Sequence, residues 1–274
     1  MKMKLPMIRN KRDTNSVWGD IARNETLDTR RGLARAVSRL LYVLTAVVIA
    51  SGLVLAGVSL GLLFNQQPNT KAVSEQAIPS IFEVFCQGSA GSGVAIKVPL
   101  PDSYKTAVFT AEHVVADCAI NSKIRLINNG VSMEGTLVAK DAASLSSTGE
   151  GPDMALIYLT NEVPALDPAP NGEVGDWVVI VGHPWDEINY VTLGVLSSSS
   201  RGEYRTDASA NEGNSGGPLL DSQGRVLGLI SYKPCQEDRE DGYCTAADGI
   251  TVAKKLSLAC DGLFARAANC PFDF

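Results

Sequence analysis

The chain has 274 residues, 45% of them hydrophobic, and carries 24 basic and 30 acidic residues for a formal net charge of -6. This length supports one or two domains with a hydrophobic core, which excludes an obligately disordered chain or a disulfide-stapled miniprotein. Only two histidines are present, without a histidine or cysteine cluster, and the net charge is acidic. We therefore expect no metal, no cofactor and no nucleic-acid partner.

The N-terminal segment is basic, whereas the rest of the chain is acidic. Residues 1–39 contain ten lysines and arginines against four acidic residues, and the remainder contains 14 basic against 26 acidic residues. The next 25 residues, 40–64, contain no charge and no proline. At about 1.5 Å of rise per residue, a helix of this length crosses a hydrocarbon layer of about 30 Å. We predict one transmembrane helix over residues 40–64.

Two other interpretations of this apolar run, a buried core helix and a cleaved signal peptide, fit it less well. A buried core helix would show a polar face, and a signal peptide has a shorter apolar stretch followed by a small-residue cleavage site. Because the basic flank lies on the N-terminal side, the positive-inside rule predicts that residues 1–39 are cytoplasmic. Everything after Asn65 is then extracytoplasmic, in the periplasm or outside the cell, beginning with a polar linker over residues 65–77.

From Ile78 onward, short apolar or alternating runs are separated by Gly, Asn, Asp and Pro. Such runs, rich in Val and Ile, predict an all-β barrel or sandwich formed as one domain or as two stacked barrels. Only residues 252–268 have helix-like spacing, through Val252, Leu256, Ala259 and Leu263. We therefore predict a β domain over residues 78–274 that ends in a C-terminal helix.

All six cysteines follow the apolar run, as an oxidising compartment permits; they are Cys86, Cys118, Cys235, Cys244, Cys260 and Cys270. Six cysteines allow 15 pairings. The most economical one is sequential, and it joins Cys86 to Cys118, Cys235 to Cys244, and Cys260 to Cys270.

Residues 213–218 read Gly-Asn-Ser-Gly-Gly-Pro and lie between a turn-rich stretch and an apolar strand. A serine among glycines can sit on a tight turn with an exposed hydroxyl and unobstructed backbone N–H groups. Acyl transfer needs this arrangement, because the hydroxyl attacks a carbonyl while N–H donors stabilise the developing oxyanion. Alone, Ser215 is equally compatible with an ordinary hairpin turn, so it requires partners.

Together with Thr-Asp-Ala at 206–208 and Val-Leu-Gly-Leu-Ile-Ser at 226–231, this motif resembles the chymotrypsin-fold serine proteases of the HtrA/Deg type. Thr-Ala-Glu-His-Val-Val at 110–115 resembles the family segment that supplies the general base, and Asp-Met-Ala-Leu at 153–156 resembles the one that orients it. The order histidine, aspartate, serine is that of chymotrypsin-type enzymes. The resemblance covers residues 78–252, including Gly-His-Pro at 182–184 and Val-Thr-Leu-Gly at 191–194.

The resemblance implies a trypsin-like fold of two β-barrels, over about residues 78–165 and 170–252, and a serine endopeptidase that forms an acyl-enzyme. Ser215 would be the nucleophile, His113 the general base, and Asp153 the group that holds the imidazole. The N–H groups of Gly213 and Ser215 would form the oxyanion hole. Asp141 is a rival for the aspartate, but Asp153 adjoins an apolar strand whereas Asp141 lies in a polar loop.

The family layout also implies a substrate site. Ile230, Ser231 and Tyr232 would pair with the substrate backbone, and Ser209 would lie near the floor of the pocket for the residue before the scissile bond. No aspartate stands there. We therefore expect a small or medium apolar residue at that position rather than Arg or Lys. His183 is expected to be a structural loop residue.

Three features depart from the HtrA pattern. The sequence ends at Phe274, soon after the second predicted barrel, so we expect a protease domain without a PDZ domain. The cysteines are atypical of the subgroup, although Cys86 and Cys118 flank the His113 segment as a disulfide does in animal trypsins. An insert over residues 142–152 lengthens the loop before Asp153.

The leading hypothesis is a membrane-anchored extracytoplasmic serine endopeptidase that acts on protein or peptide substrates in quality control or regulated processing. The alternative is a catalytically idle or zymogen-like protease domain that serves as a sensor or binding module. All three side chains of the implied triad are present, which favours the first hypothesis. The sequence does not determine an oligomeric state.

Overall fold

The structure is a computed structural model that describes residues 14–64, 67–141, 151–200, 202–238, 244–246, 249–264 and 270–272. Side chains are described for most of these residues, but not for residues 14–28, 57–64, 186, 235–238, 244–246 and 261–262. The predicted insert at 142–152 lies outside the described residues except for its last two. The chain divides into two compact units, residues 1–66 and 67–274.

The described part of the first unit forms one helix, α1 (Thr14–Phe64). Within it, Thr29–Ala56 is long and apolar enough to cross a membrane by length and composition, with a mean hydropathy of 2.1 and no buried residues. The predicted span at 40–64 lies inside α1 and overlaps this stretch. A signal sequence near an N-terminus meets the same criterion. The structure therefore supports a candidate membrane span.

The second unit contains a first closed barrel of six antiparallel strands, in the spatial order β1-β2-β3-β6-β5-β4. The strands are β1 (Ile81–Cys86), β2 (Ser89–Ala95), β3 (Thr106–Thr110), β4 (Lys123–Asn128), β5 (Val131–Lys140) and β6 (Ala155–Leu159). The barrel interior is filled by fully buried side chains that include Phe82, Leu126 and Leu137. β4 shows the alternation expected of a strand that places one face toward a core, because Ile124, Leu126 and Asn128 are buried and the residues between them are more exposed.

A second closed barrel follows, in the spatial order β10-β11-β14-β9-β8-β7, with β12 and β13 forming a separate two-stranded sheet. The strands are β7 (Trp177–Gly182), β8 (Tyr190–Ser200), β9 (Glu203–Thr206), β10 (Pro218–Leu220), β11 (Val226–Tyr232), β12 (Cys235–Asp238), β13 (Cys244–Ala246) and β14 (Thr251–Lys255). The expected two-barrel, mostly β architecture is confirmed.

A shared apolar cluster joins the two barrels, with Phe109 and Met154 from the first and Leu220 and Leu229 from the second. This shared core fixes the relative position of the two barrels, because a close-packed interior has low compressibility and resists their displacement. The loops at the junction of the barrels are therefore held together, and this junction carries the candidate site.

Two segments differ from the sequence-based predictions. The predicted linker at 65–77 contains helix α2 (Thr70–Ala77), which begins after Asn69 and buries Val73 and Ala77 in the core that joins the barrels. Its two apolar residues, one helical turn apart, account for this packing. The predicted C-terminal helix is shorter than the spacing suggested: α3 spans Leu258–Gly262. Val252 lies in β14, because pairing with β9 and β11 closes the second barrel.

Disulfides join Cys86 to Cys118 and Cys260 to Cys270, with Cα–Cα distances of 6.0 and 5.4 Å. The first bond ties the end of β1 to the loop after the turn that carries His113. The backbones of Cys235 and Cys244 lie in the paired strands β12 and β13. Their side chains lie outside the described part of the structure, so the predicted bond between them stays a prediction.

Candidate active site

His113 lies on a single 3-10 turn, Glu112–Val114, directly after β3. Val114 is buried beneath the turn and packs against Gly91, where a Cβ atom would approach its side chain to 2.5 Å. On the other side, Lys140 donates hydrogen bonds to the carbonyl groups of Val115 and Ala116. With the Cys86–Cys118 bond nearby, these contacts fix the backbone that presents the imidazole.

Asp153 is a buried aspartate whose carboxylate accepts from three donors. The backbone N–H of His113 donates to Oδ1 at 3.1 Å, the His113 ring Nδ1 lies 3.1 and 3.0 Å from Oδ1 and Oδ2, and the Ser231 hydroxyl donates to Oδ2. Because a carboxylate only accepts, Nδ1 must carry the proton, and Nε2 of the neutral ring is then the proton acceptor. The arrangement can therefore act as an oriented general base.

The backbone at Asp153 is left-handed, with φ of 47°. This region costs a residue other than glycine about 1 kcal/mol or more, although aspartate tolerates it better than most. The neighbouring rival, Asp141, is buried and donates its backbone N–H to the Met154 carbonyl at 2.9 Å. The carboxylate that contacts the His113 ring is that of Asp153, so the geometry favours Asp153 as its partner.

Opposing effects act on the pKa of His113. Burial alone would lower that pKa, but the hydrogen bond to Asp153, the charge of Asp153 and the charge of Glu112 outweigh burial and raise it above the ordinary value of 6.5. The imidazolium form is therefore stabilised where it would arise during proton transfer. His113 is deprotonated in most molecules only when the pH exceeds this raised pKa.

Ser215 lies on a turn in which two positions, Gly213 and Gly216, have backbone conformations that favour glycine. Gly213 and Gly216 have φ values of 94° and 82°. A Cβ atom at Gly216 would lie 2.3 Å from the Ser92 carbonyl oxygen, and one at Gly213 would lie 2.4 Å from the His183 carbonyl oxygen. Glycine is therefore required at both positions, because the backbone there approaches both barrels closely. We call residues 213–216 the nucleophile turn.

Hydrogen bonds hold this turn from both sides. The Ser215 carbonyl accepts from Ser92 N–H at 2.8 Å, and Gly216 N–H donates to the Ile230 carbonyl at 2.7 Å. Thr110, at the end of β3, donates its hydroxyl to the Ser92 carbonyl at 2.7 Å. Because β2, β3 and β11 all contribute, the position of Ser215 relative to His113 is set by the barrels rather than by the turn alone.

The backbone N–H groups of Gly213 and Ser215 are available as hydrogen-bond donors. The Glu212 carbonyl accepts from Trp185 N–H at 3.1 Å, and in a trans peptide the N–H of the next residue, Gly213, points the opposite way. Within the part of the chain that the structure describes, neither Gly213 N–H nor Ser215 N–H donates a hydrogen bond. Such a pair of free donors is what an oxyanion requires.

Ser92 orients the turn and was not among the residues singled out in the sequence. Its buried hydroxyl accepts from His183 N–H at 3.0 Å and donates to the Gly213 carbonyl at 2.6 Å. Ser92 therefore links β2 to two segments of the second barrel. A serine between two glycines gave no sequence signal for this role, since the contact spans more than 90 residues.

The Ser215 hydroxyl and the His113 ring share no hydrogen bond among those described. Catalytic hydrogen bonds are often long before substrate binds and shorten in the substrate complex. His113 and Asp153 are thus already paired, while Ser215 is positioned on the facing turn.

A cavity of about 250 Å³ opens beside Ser215. It is lined by Ala210, Asn211, Glu212, Ser215, Ile230, Ser231, Tyr232 and Lys233. The expected Ile230, Ser231 and Tyr232 are therefore brought together with Ser215. Ser209 is not among the lining residues, and its carbonyl accepts from the Thr192 hydroxyl at 2.8 Å. The Ser231 side chain is directed to Asp153, a contact that the sequence interpretation missed.

His183, the second histidine, is buried, and burial lowers its pKa to about 4. Its backbone bonds to Ser92 and its carbonyl packs against Gly213, as described above. The Nδ1 atom has no hydrogen-bond partner among the described residues. His183 is consequently uncharged near neutral pH and contacts the nucleophile turn through its backbone.

The chain is similar to known peptidases and proteases. The family described as "Trypsin-like peptidase domain" matches residues 91–229. The chain is 34% identical over 191 residues to the "Putative protease Do-like 14" of Arabidopsis thaliana, covering 61% of this chain and 41% of the relative. It is 33% identical over 184 residues to a "Probable periplasmic serine endoprotease DegP-like" of Pseudomonas fulva, covering 63% and 34%.

The chain thus spans well under half the length of these curated relatives. Among solved structures, the "Crystal structure of the serine endoprotease from Yersinia pestis" aligns with a TM-score of 0.57 and 24% identity, covering 73% of this chain and 67% of that one. At this identity the likeness supports the fold. Together with the relatives, it agrees with an HtrA-type, chymotrypsin-like arrangement of two barrels.

Proposed function

The chain belongs to the trypsin-like peptidase domain family, and on this premise we propose that it is a serine endopeptidase whose triad is His113, Asp153 and Ser215. The observation that carries the proposal is the Asp153 carboxylate, which holds Nδ1 of His113 and leaves Nε2 to accept a proton. Ser215 supplies the hydroxyl. This combination of groups suits attack on a peptide carbonyl.

The proposed reaction proceeds through an acyl-enzyme. Ser215 Oγ attacks the substrate carbonyl carbon while His113 Nε2 takes the hydroxyl proton, and the carbonyl oxygen becomes an oxyanion between the N–H groups of Gly213 and Ser215. The tetrahedral intermediate collapses as His113 donates that proton to the leaving amine. Water, deprotonated by His113, then hydrolyses the ester and restores Ser215.

For the substrate, we propose an unfolded or extended polypeptide with a small or medium apolar residue before the scissile bond. The cavity beside Ser215 supports this, because its lining includes Ala210 and Ile230 and its volume is modest. The backbone near Ile230 and Tyr232 would pair with the acyl half of the substrate. We further propose that the cleavage serves protein quality control or regulated processing; the relative from Pseudomonas fulva is described as a probable periplasmic serine endoprotease.

Labelling with a fluorophosphonate tests the enzymatic proposal. The full-length chain, solubilised in detergent, is expected to react once per molecule, and peptide mass spectrometry should place the adduct on Ser215. Prior incubation with a peptidyl chloromethyl ketone should prevent labelling. A folded protein that never labels would instead indicate an idle domain, and labelling that needs an added partner would indicate a zymogen-like one.

We also propose that α1 anchors the chain in a membrane with residues 1–39 in the cytoplasm and the protease domain outside it. The uncharged run over residues 40–64 and the ten basic residues that precede it support this orientation. The candidate span Thr29–Ala56 overlaps that run. The periplasmic relatives support an extracytoplasmic domain.

The anchor and its orientation are tested by fractionation and protease accessibility. The chain should stay in the membrane pellet after alkaline extraction, and protease added outside should remove the C-terminal domain while sparing an N-terminal tag. Replacing Arg30, Arg31, Arg35 and Arg39 together by glutamine should reduce the fraction with this orientation. A mature protein that begins after residue 64 would identify the helix as a cleaved signal instead.

A further inference from the structure

A second cavity, of about 190 Å³, adjoins the nucleophile turn on the side of the first barrel. Its walls combine two carboxylates with two aromatic rings and the glycines beside Ser215; the residues that matter here are Glu83, Phe85, Gly91, Trp185, Glu212 and Gly213. We call this the acidic cavity. The acidic cavity shares Glu212 with the cavity that holds Ser215, but Glu83, Phe85, Gly91 and Trp185 do not line that cavity and do not belong to the triad.

The position of the acidic cavity relates it to the leaving half of a substrate. Gly91 borders it and touches the nucleophile turn, since a Cβ atom at Gly91 would lie 2.9 Å from the Ser215 carbonyl oxygen. Gly213, which borders it too, supplies one of the proposed oxyanion donors. The cavity lined by Ser215 and Ile230 lies on the second barrel and would take the acyl half. A peptide that passes the oxyanion donors must therefore continue toward Gly91 and Trp185.

The charge of the acidic cavity favours a cation. Glu83 lies in β1 and is half-buried, Glu212 is exposed beside Gly213, and the Trp185 ring is 65% exposed at the rim. His183 also lines the cavity but is uncharged near neutral pH, because burial lowers its pKa. The guanidinium of Arg125 lies 3.9 Å from the centroid of the Phe85 ring, yet Arg125 lines the neighbouring cavity and not this one.

We propose that the acidic cavity is a subsite for a lysine or arginine side chain at the first or second position after the scissile bond. The ammonium or guanidinium group would approach the carboxylates of Glu83 and Glu212, while its alkyl stem would pack on Phe85 and Trp185. The proposal rests on the proposed protease function, since it concerns the leaving half of a cleaved polypeptide. It defines the substrate class as apolar before the bond and basic after it.

Internally quenched fluorogenic peptides test the subsite in the full-length, detergent-solubilised protein. All peptides share valine before the scissile bond and differ only after it, with Lys, Ala or Glu at the first or the second position. We expect kcat/KM to be about tenfold higher for Lys than for Ala at one of these positions, and lower still for Glu. Raising the salt concentration should reduce the preference, because partly exposed charges are screened.

Variants of Glu83 separate the subsite from a general effect on the enzyme. Glu83→Gln should reduce the ratio of Lys to Ala kcat/KM severalfold, and Glu83→Lys should favour the Glu peptide. A matched control is Glu134→Gln, an exposed carboxylate in β5 that does not line the acidic cavity. The control should keep the wild-type ratio. A damaged fold would lower both rates together and leave the ratio unchanged.

The outcomes distinguish the subsite from the protease function on which it rests. Cleavage of every peptide at similar rates would overturn the subsite while leaving the protease function supported. A Lys preference that survives both Glu83→Gln and Glu83→Lys would overturn the role of this cavity. If no peptide is cleaved and no fluorophosphonate adduct forms, the protease function itself fails.

Discussion

Replacement of Ser215 by alanine is expected to lower the turnover of peptide substrates by about 10⁶ without changing the fold. In serine proteases, loss of the nucleophile lowers kcat by roughly this factor, because the triad acts as a unit and the other two residues contribute little without the nucleophile. The Ser215 hydroxyl makes no hydrogen bond among the described contacts, so its removal leaves no buried group unsatisfied. The free energy of unfolding should therefore change by no more than about 0.5 kcal/mol.

The measurement pairs peptide hydrolysis, normalised to the concentration of folded protein, with thermal unfolding of the same preparation. Ser222→Ala is the matched control, since Ser222 is an exposed serine in the turn after β10. The control should retain both turnover and stability. Residual turnover in Ser215→Ala above about one thousandth of wild type would show that another group is the nucleophile or that a contaminating protease is present.

Much of the site was predictable because its chemistry lies in local motifs. The glycines around Ser215 are needed where the turn touches Ser92 and His183, and this need leaves a visible pattern in a short stretch of sequence. Asp153, which contacts the His113 ring, precedes an apolar strand, and this position in the sequence favoured it over Asp141. The strands themselves were visible as Val- and Ile-rich runs between turn residues.

The contacts that orient these groups were not predictable in the same way. Ser231 reaches Asp153 across 78 residues, and Ser92 reaches Gly213 across 121 residues. No local pattern distinguishes such serines from exposed ones, because only the packing of the two barrels brings them together. The helix-like spacing that begins at Val252 predicted a helix where the structure has β14. Pairing with β9 and β11, which are distant in sequence, makes this segment a strand and closes the second barrel.

Replacement of Asp153 by asparagine is expected to lower kcat by about 10⁴ with little change in overall structure. Asparagine is close in size, but it presents an amide N–H₂ group where the carboxylate accepts hydrogen bonds. The His113 ring would then accept at Nδ1 and carry its proton on Nε2. In that tautomer the ring cannot take the proton of Ser215.

The pH dependence of activity gives a second measure of the same pair. His113 must be uncharged to act as a base, so wild-type kcat/KM should fall as the pH is lowered through the raised pKa of His113, above 6.5. Asp153→Asn removes the carboxylate that raises this pKa and leaves the burial that lowers it. The acidic limb of the residual activity should therefore move to lower pH.

Kinetics measured from pH 5 to 9 on wild type, Asp153→Asn and Asp141→Asn decide between the two aspartates. Asp141→Asn is the matched control, because it makes the same change at an aspartate whose backbone bonds to Met154, next to Asp153. This variant should keep kcat within a few-fold of wild type and leave the acidic limb of the pH profile in place. A wild-type profile that is flat from pH 5 to 8 would count against His113 as the base. If Asp141→Asn caused the larger loss and displaced the limb, Asp141 would be the orienting carboxylate, and the contact of Asp153 with His113 would be structural only.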